Sequence, residues 1–228
     1  MKTMFVRAKL DVDVILPDDV VRKLAGMRVG LVSNIQHLHK LGDVKKQLPN
    51  SAFIGQVLGC RAENAAAKQD QLDCFLYIGT GQFHPIKVAL VTNKPVFIYS
   101  PVTKEFRSLD MTFVEKYKKQ ATAALNQFYH ANCVGILLST KTGQSMNKIN
   151  RAGNDLKFEP VRYLKGRKDG KRYYTFCFDT LNPKELENFN FIDVWVNTAC
   201  SRITDDEIPH LVNIEDIMQA DQEQNEPV

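Results

Sequence analysis

The sequence predicts an α/β protein made of two consecutive Rossmann-like domains, each built on a parallel sheet. Short, continuous apolar runs recur along the chain, each separated from the next by a longer amphipathic stretch. Such runs are how strands covered on both faces read in sequence. The pattern also runs twice: strand, helix, strand, helix, strand over residues 27–100, then helix, strand, a polar stretch, strand, strand over residues 113–200. A chain of 228 residues, 44% hydrophobic, is long enough for one large or two small cores.

Residues 4–14 (MFVRAKLDVDV) have the composition of a strand with nothing before it, as if the chain began inside a domain. Residues 27–33 (MRVGLVS) read as a buried strand and 39–48 as the helix after it. An alanine-rich helix over 62–69 precedes the strand 74–78 (CFLYI). Residues 85–92 look helical and 95–99 (PVFIY) extended. The polar segment 103–110 holds no long apolar run and marks a domain boundary. A long helix over 113–129 carries apolar residues at helical spacing, and 134–139 (VGILLS) follows as a strand. Residues 173–178 alternate in character, Lys168-Asp169-Gly170-Lys171 reads as a hairpin turn, and 191–196 (FIDVWV) closes the series. The organisation expected is a remnant strand over 1–15, one α/β domain over 16–108 and a second over 109–228 with an acidic tail.

The net charge of +4 is too small to argue for nucleic acid. Arg162, Lys165, Arg167, Lys168, Lys171 and Arg172 crowd one stretch, whereas Asp205, Asp206, Glu207, Glu215, Asp216, Asp221, Glu223 and Glu226 make the C-terminal region acidic. Charge runs of this kind read as solvated faces. No secretory signal is visible, and no apolar run approaches the roughly 20 residues of a membrane span, so a soluble cytoplasmic protein is expected. The odd count of five cysteines, with no CxxC pair, speaks against a disulfide framework, a zinc ribbon or a thioredoxin-type site.

In open parallel sheets, ligands bind beyond the carboxyl ends of the strands. Cys200 follows FIDVWV, and Cys60 lies in GQVLGC before a helix, so both belong at that mouth if residues before Cys60 end a strand. Cys74 starts its strand and Cys133 directly precedes another, so both belong at the opposite edge, while Cys177 sits within a strand and is expected in the core. Gly79-Thr80-Gly81 and Phe83-His84 follow CFLYI, where glycines and a helix N-terminus suit a carboxylate or phosphate. Ser139, Thr140, Lys141 and Gln144 follow VGILLS at the same kind of position, although the spacing is not that of a P-loop. His37 and His39 stand two apart and face different sides of the chain. Taken alone, these residues leave open whether the mouths bind a ligand or are ordinary strand-to-helix turns.

The combination of LGC, GTGQFHP, STKTGQ and VWVNTAC in this order resembles the diphthamide-synthase family. GLVSNIQHLHKL and GQVLGC through KPVFIYSP are similar to that family's middle domain, and GILLSTKTGQ with NTACSRITDDEIP to its third. The resemblance implies three related α/β domains, each giving one cysteine to a 4Fe–4S cluster whose open iron binds S-adenosylmethionine. It implies reductive release of a 3-amino-3-carboxypropyl radical and its addition to a histidine ring carbon of translation elongation factor 2, the first step of diphthamide synthesis. Carried over by motif, Cys60 and Cys200 are expected cluster ligands. Gly79, Thr80, Gly81, Phe83, His84, Ser139, Thr140, Lys141 and Gln144 are the expected S-adenosylmethionine residues. The resemblance implies a homodimer or a heterodimer with another family member. The family's first domain, with its cysteine, has no counterpart in this sequence, which implies either that a separate polypeptide supplies it or that the sequence is truncated. The alternative is a non-catalytic scaffold supporting an active family member. Neither reading involves a membrane or direct contact with nucleic acid.

Overall fold

In a computed structural model of the chain, the residues described are 4, 6–141, 159–201, 203 and 208–225. They form two compact units, Met1–Lys116 and Tyr117–Val228. The first contains α1 (Asp18–Leu24), β1 (Val29–Ser33), α2 (Leu41–Gln47), β2 (Ser51–Gln56), α3 (Glu63–Ala66), β3 (Cys74–Ile78), α4 (Phe83–Thr92), β4 (Val96–Tyr99) and β5 (Phe106–Ser108). The division falls inside α5 (Met111–His130). The second unit continues with β6 (Cys133–Ser139), α6 (Glu159–Lys165), β7 (Arg172–Phe178), α7 (Pro183–Leu186), β8 (Val194–Asn197), β9 (Leu211–Asn213) and α8 (Ile214–Asn225).

The first sheet has the order β2-β1-β3-β4-β5, parallel except for β5, which pairs antiparallel with β4. The second has the order β7-β6-β8-β9 and is parallel throughout. The four parallel strands of each unit therefore share one topology, with the first strand inside, the second on one flank, and the third and fourth on the other. The inner strands β1, β3, β6 and β8 are buried on both faces, which explains the unalternating runs. In the first unit Val29 and Leu31 pack on one face with Val20, Leu24 and Leu41, while Val32 packs on the other with Ala65, Phe75 and Val88. In the second, Ile136 and Val196 meet Phe128, Leu164 and Ile217, and Leu137 and Trp195 meet Ile208 and Leu211 on the opposite face.

The two units also repeat a packing device. Gly30 of β1 is register partner to Phe75 of β3, and Gly135 of β6 to Trp195 of β8. A β-carbon would lie 2.6 Å from the Phe75 ring at Gly30 and 2.4 Å from the indole at Gly135. Each glycine leaves the space that its neighbour's aromatic ring fills.

Several expectations are corrected. Residues 6–17 form no strand. A glutamine replaces the strand neighbour: Gln47 accepts from the Leu16 N–H (2.7 Å) and donates to the Val14 carbonyl (2.8 Å), holding Val14 and Leu16 in the core. The segment 103–110 carries β5, which closes an edge of the first sheet. The alanine-rich helix shrinks to α3 followed by a 3-10 turn at Gln69–Gln71. Lys168–Lys171 connects a helix to a strand, α6 to β7, with Gly170 at φ 73°. Of that basic stretch, Arg167 is bound by Asp169 and Asp221, the Lys171 ammonium donates to the carbonyls of Tyr129 and Ala131, and Arg172 donates to the Cys133 sulfur. The acidic tail is partly structural too: Ile214 and Ile217 of α8 are buried, and Asp221 accepts from Tyr129 and Tyr163. Cys177 is exposed rather than in the core, because β7 is an edge strand.

Asp73, just before β3, accepts from the backbone N–H of Arg28 (2.8 Å) and from its guanidinium (2.8 Å). These bonds, the guanidinium's first, hold the Asp73 carboxyl down at about 2, against an ordinary 3.8. A depressed carboxyl stabilises the fold above its unfolded value and loses that contribution as pH falls through the folded one. The stability deficit of Asp73→Asn is therefore expected to be full at neutral pH and to close between about pH 4 and pH 2 in urea titrations. A deficit unchanged at low pH would show that the carboxylate charge is not what matters there.

Candidate functional site

Strand register defines the carboxyl edge of each sheet. In the first unit Ser33 pairs with Gln56 and Ile78, and Ile78 with Tyr99, so the loops after β1, β2, β3 and β4 leave from one edge. β2 is a strand the sequence reading missed, and its presence puts Cys60 at this edge. Gly59 and Cys60 are the corner residues of a tight turn closed both ways, Leu58 N–H to Arg61 O (2.8 Å) and Arg61 N–H to Leu58 O (3.1 Å). Cys60 is half-buried there.

The β3–α4 loop faces this turn. A β-carbon on Gly59 would lie 1.8 Å from the Phe83 ring, so the Cys60 turn rests directly on the first turn of α4. Gly79 (φ 151°) and Gly81 (φ 78°) both hold left-handed backbone, which a side chain would strain. Thr80 is exposed between them. His84 is half-buried, its ring centroid 5.3 Å from Phe83 and 6.0 Å from Tyr77. Cys60, Gly79, Thr80, Gly81, Phe83 and His84 thus share one edge of one unit.

Tyr77 lies directly beneath this loop and was not singled out in the sequence. It is fully buried, its acidity pushed up out of the ordinary range by that burial, and its hydroxyl has no hydrogen-bond partner among the described residues. A buried polar group without a partner costs about 1–3 kcal/mol. Tyr77→Phe keeps the ring and removes that cost, so it is expected to stabilise the chain by about 1 kcal/mol in urea unfolding. A loss of stability would mean that the hydroxyl is satisfied in solution.

In the second unit Ser139 pairs with Phe178, and Asn197 with Leu137 and Asn213. Ser139, Thr140 and Lys141 leave β6 at this edge, and Thr198, Ala199 and Cys200 leave β8. Ser139 is buried and its hydroxyl accepts from the Lys141 N–H (3.2 Å). The Thr140 hydroxyl donates to the Phe178 carbonyl (3.2 Å), and the Lys141 ammonium to the Thr180 hydroxyl (2.9 Å). Gln144 lies outside the described residues. Cys200 is half-buried, and its carbonyl accepts from the side chain of Asn197 (3.0 Å) and the N–H of Ile203 (3.1 Å). Asn197 and Asn213 were missed as well; the only sequence signal is an asparagine ending an apolar run, in VWVN and again in LVN.

The other thiols sit elsewhere. Cys74 starts β3, is buried beside the Met27 sulfur (3.6 Å), and burial pushes its thiol up to about 11. Cys133 starts β6 and is buried. Among the described residues no group of three or more His, Cys, Asp or Glu side chains is arranged to hold a metal ion. Cys60 and Cys200 fit an iron–sulfur cluster by donor chemistry, since such irons take thiolates, but two thiolates fall short of a full set. Among the described residues no helix is long and apolar enough to cross a membrane.

A family model described as "Putative diphthamide synthesis protein" matches residues 1–210. The 2-(3-amino-3-carboxypropyl)histidine synthase of Methanocaldococcus jannaschii is 29% identical over 81% of this chain and 48% of its own length. Its namesake in Pyrococcus horikoshii is 29% identical over 88% of this chain and 59% of its own. The synthase subunit 1 of Yarrowia lipolytica is 26% identical over 89% and 46%. The chain thus spans about half the length of the curated relatives it matches. A crystal structure of Dph2 from Pyrococcus horikoshii with a 4Fe-4S cluster superposes with a TM-score of 0.64 at 25% identity, covering 88% of this chain and 58% of that one.

Proposed function

This chain belongs to the diphthamide synthesis protein family, and from that membership we propose that it takes part in 3-amino-3-carboxypropyl transfer from S-adenosylmethionine to a histidine of translation elongation factor 2. The observation that carries the reading is the placement of Cys60 and Cys200. Of the five cysteines, these two lie in loops at the carboxyl edge of their own sheets, half-buried, where a parallel sheet presents ligands. Both are proposed as ligands of a 4Fe–4S cluster. Bound and reduced, such a cluster would supply the electron that cleaves the sulfur–carbon bond of S-adenosylmethionine.

The chain's own residues orient and shield. The Gly59-Cys60 turn is fixed against Phe83. The Gly79-Thr80-Gly81 loop brings bare backbone to the edge, where the N-terminus of α4 and His84 offer polar groups to the amino-acid end of S-adenosylmethionine. In the second unit Lys141, with Ser139 and Thr140, offers a cation and hydroxyls suited to a carboxylate. We place the chain in a homodimer or in a heterodimer with a family member, and a full set of cluster ligands needs a third thiolate beside Cys60 and Cys200.

A second reading is a subunit that keeps the fold and supports an active family member. Anaerobic reconstitution with iron and sulfide, alone and with candidate partners, separates the two. The enzymatic reading expects a reduced-cluster paramagnetic signal that changes with S-adenosylmethionine and is lost in Cys60→Ala and in Cys200→Ala. Iron-free protein with every partner would sink it. Cells that still form diphthamide with both cysteines replaced would establish the scaffold.

A further inference from the structure

We infer that Asn197 is a positioning residue for Cys200, acting through a buried amide clamp that fixes the backbone on which the thiol is carried. Its significance for a cluster rests on the function proposed above; the clamp itself does not.

Asn197 ends β8 and is 1% exposed, and every polar atom of its side chain is used. Its Oδ1 accepts from the N–H of Ala199 (2.9 Å). Its Nδ2 donates to the carbonyl of Cys200 (3.0 Å) and to Oδ1 of Asn213 (2.9 Å). An amide has one acceptor oxygen and a nitrogen with two hydrogens. One orientation therefore satisfies all three bonds, and the flipped amide would set its oxygen against two other oxygens. Asn213, on the neighbouring strand β9, is itself buried and anchors the clamp to the sheet.

The loop is fixed residue by residue. Thr198 is pinned to the Leu137 carbonyl by both its N–H (3.2 Å) and its hydroxyl (2.7 Å). Ala199 is held by Asn197, and the Cys200 carbonyl takes Asn197 from one side and Ile203 from the other. Among the described residues, Asn197 is the side chain that bonds both to the Ala199 N–H and to the Cys200 carbonyl of this turn. A buried amide at the end of an otherwise apolar strand adds little to packing, so its place is explained by the turn that it shapes.

The test is peptide-resolved alkylation of the full metal-free, reduced chain with iodoacetamide, following all five cysteines at once. In Asn197→Ala the Cys200 rate is expected to rise roughly ten-fold, the factor carried by about one buried hydrogen bond. Asn197→Asp, which keeps the acceptor for Ala199 but loses both donors, is expected to do the same. Cys133, buried in the same sheet, should stay protected and Cys60 should not change. A Cys200 rate within about two-fold of the parent, with Cys133 protected, would overturn the inference. Should Cys133 open as well, the sheet has failed, and Asn213→Ala, which removes the second acceptor together with a long bond from its Nδ2 to the Tyr117 hydroxyl (3.5 Å), decides by the same criterion. If the proposed function fails, Cys200→Ala leaves iron content unchanged while the alkylation result stands; if the clamp fails, the converse holds.

Discussion

Gly135→Ala is expected to destabilise the second unit by about 3 kcal/mol, at the upper end for overpacking, and Gly135→Val by more. The added β-carbon would lie 2.4 Å from Cε3 and Cζ3 of Trp195 and 3.1 Å from Ile192. The indole has nowhere to go. It is buried, with Phe176 at 4.9 Å and Phe189 at 6.2 Å between ring centroids. Trp195 is the only tryptophan in the chain, so its fluorescence reports this unit's unfolding directly. A loss of about 3 kcal/mol is a large share of the 5–15 kcal/mol typical of a domain. Shortening Trp195 to Leu should relieve the clash, so the double variant should cost less than the sum of the singles, with far-ultraviolet dichroism as the readout. Strict additivity would mean that the two sites do not meet. Gly30→Ala poses the same problem in the first unit, where Phe75 and Leu72 stand 2.6 and 2.8 Å from the new carbon. An equal penalty there would confirm that the two sheets use one packing solution.

What the sequence made legible follows from burial. Strands covered on both faces produce continuous apolar runs, and β1, β3, β4, β6 and β8 were all readable that way. β2 was not, because it lies at a sheet edge: SAFIGQ mixes exposed Phe53 and Gln56 with buried Ser51 and Gly55, and its register with β1 shifts at a bulge. At three residues, β9 is too short to show a period. Residues 4–14 have the composition of a strand, but composition does not say whether a backbone or a glutamine side chain will answer the amides. Cys177 shows the limit of alternation, which assigns a residue to a face without saying whether anything covers that face. The edge on which Cys200 sits was legible from β8, whereas that of Cys60 was legible only on the condition that a strand precedes it, which β2 meets. The Asn197 clamp was not, because it joins β8, its own loop and β9 through hydrogen bonds that have no sequence period.

Gly59→Ala is expected to have the largest effect on the first unit's edge. Its β-carbon would fall 1.8 Å from Cε1 and 1.9 Å from Cζ of Phe83, inside the ring's own volume. The turn cannot retreat, because Leu58 and Arg61 bond to each other in both directions. Phe83 must therefore swing out, and with it the first turn of α4, which also carries His84. Because Phe83 is only half-buried, part of the strain escapes into solvent, which places the cost at about 2 kcal/mol rather than at the level of Gly135. The consequence for the site is larger than the consequence for stability. Cys60 is the next residue, so any shift that spares the ring displaces the thiol. On the proposed function, reconstituted iron should fall in Gly59→Ala nearly as far as in Cys60→Ala while the chain stays folded. Phe83→Ala alone should cost stability through lost packing yet keep the turn. Combined with Gly59→Ala, it should restore iron, because the space the new methyl needs is then open. Restored stability without restored iron would show that Phe83 does more than support the turn, and would place its ring among the groups that meet the ligand.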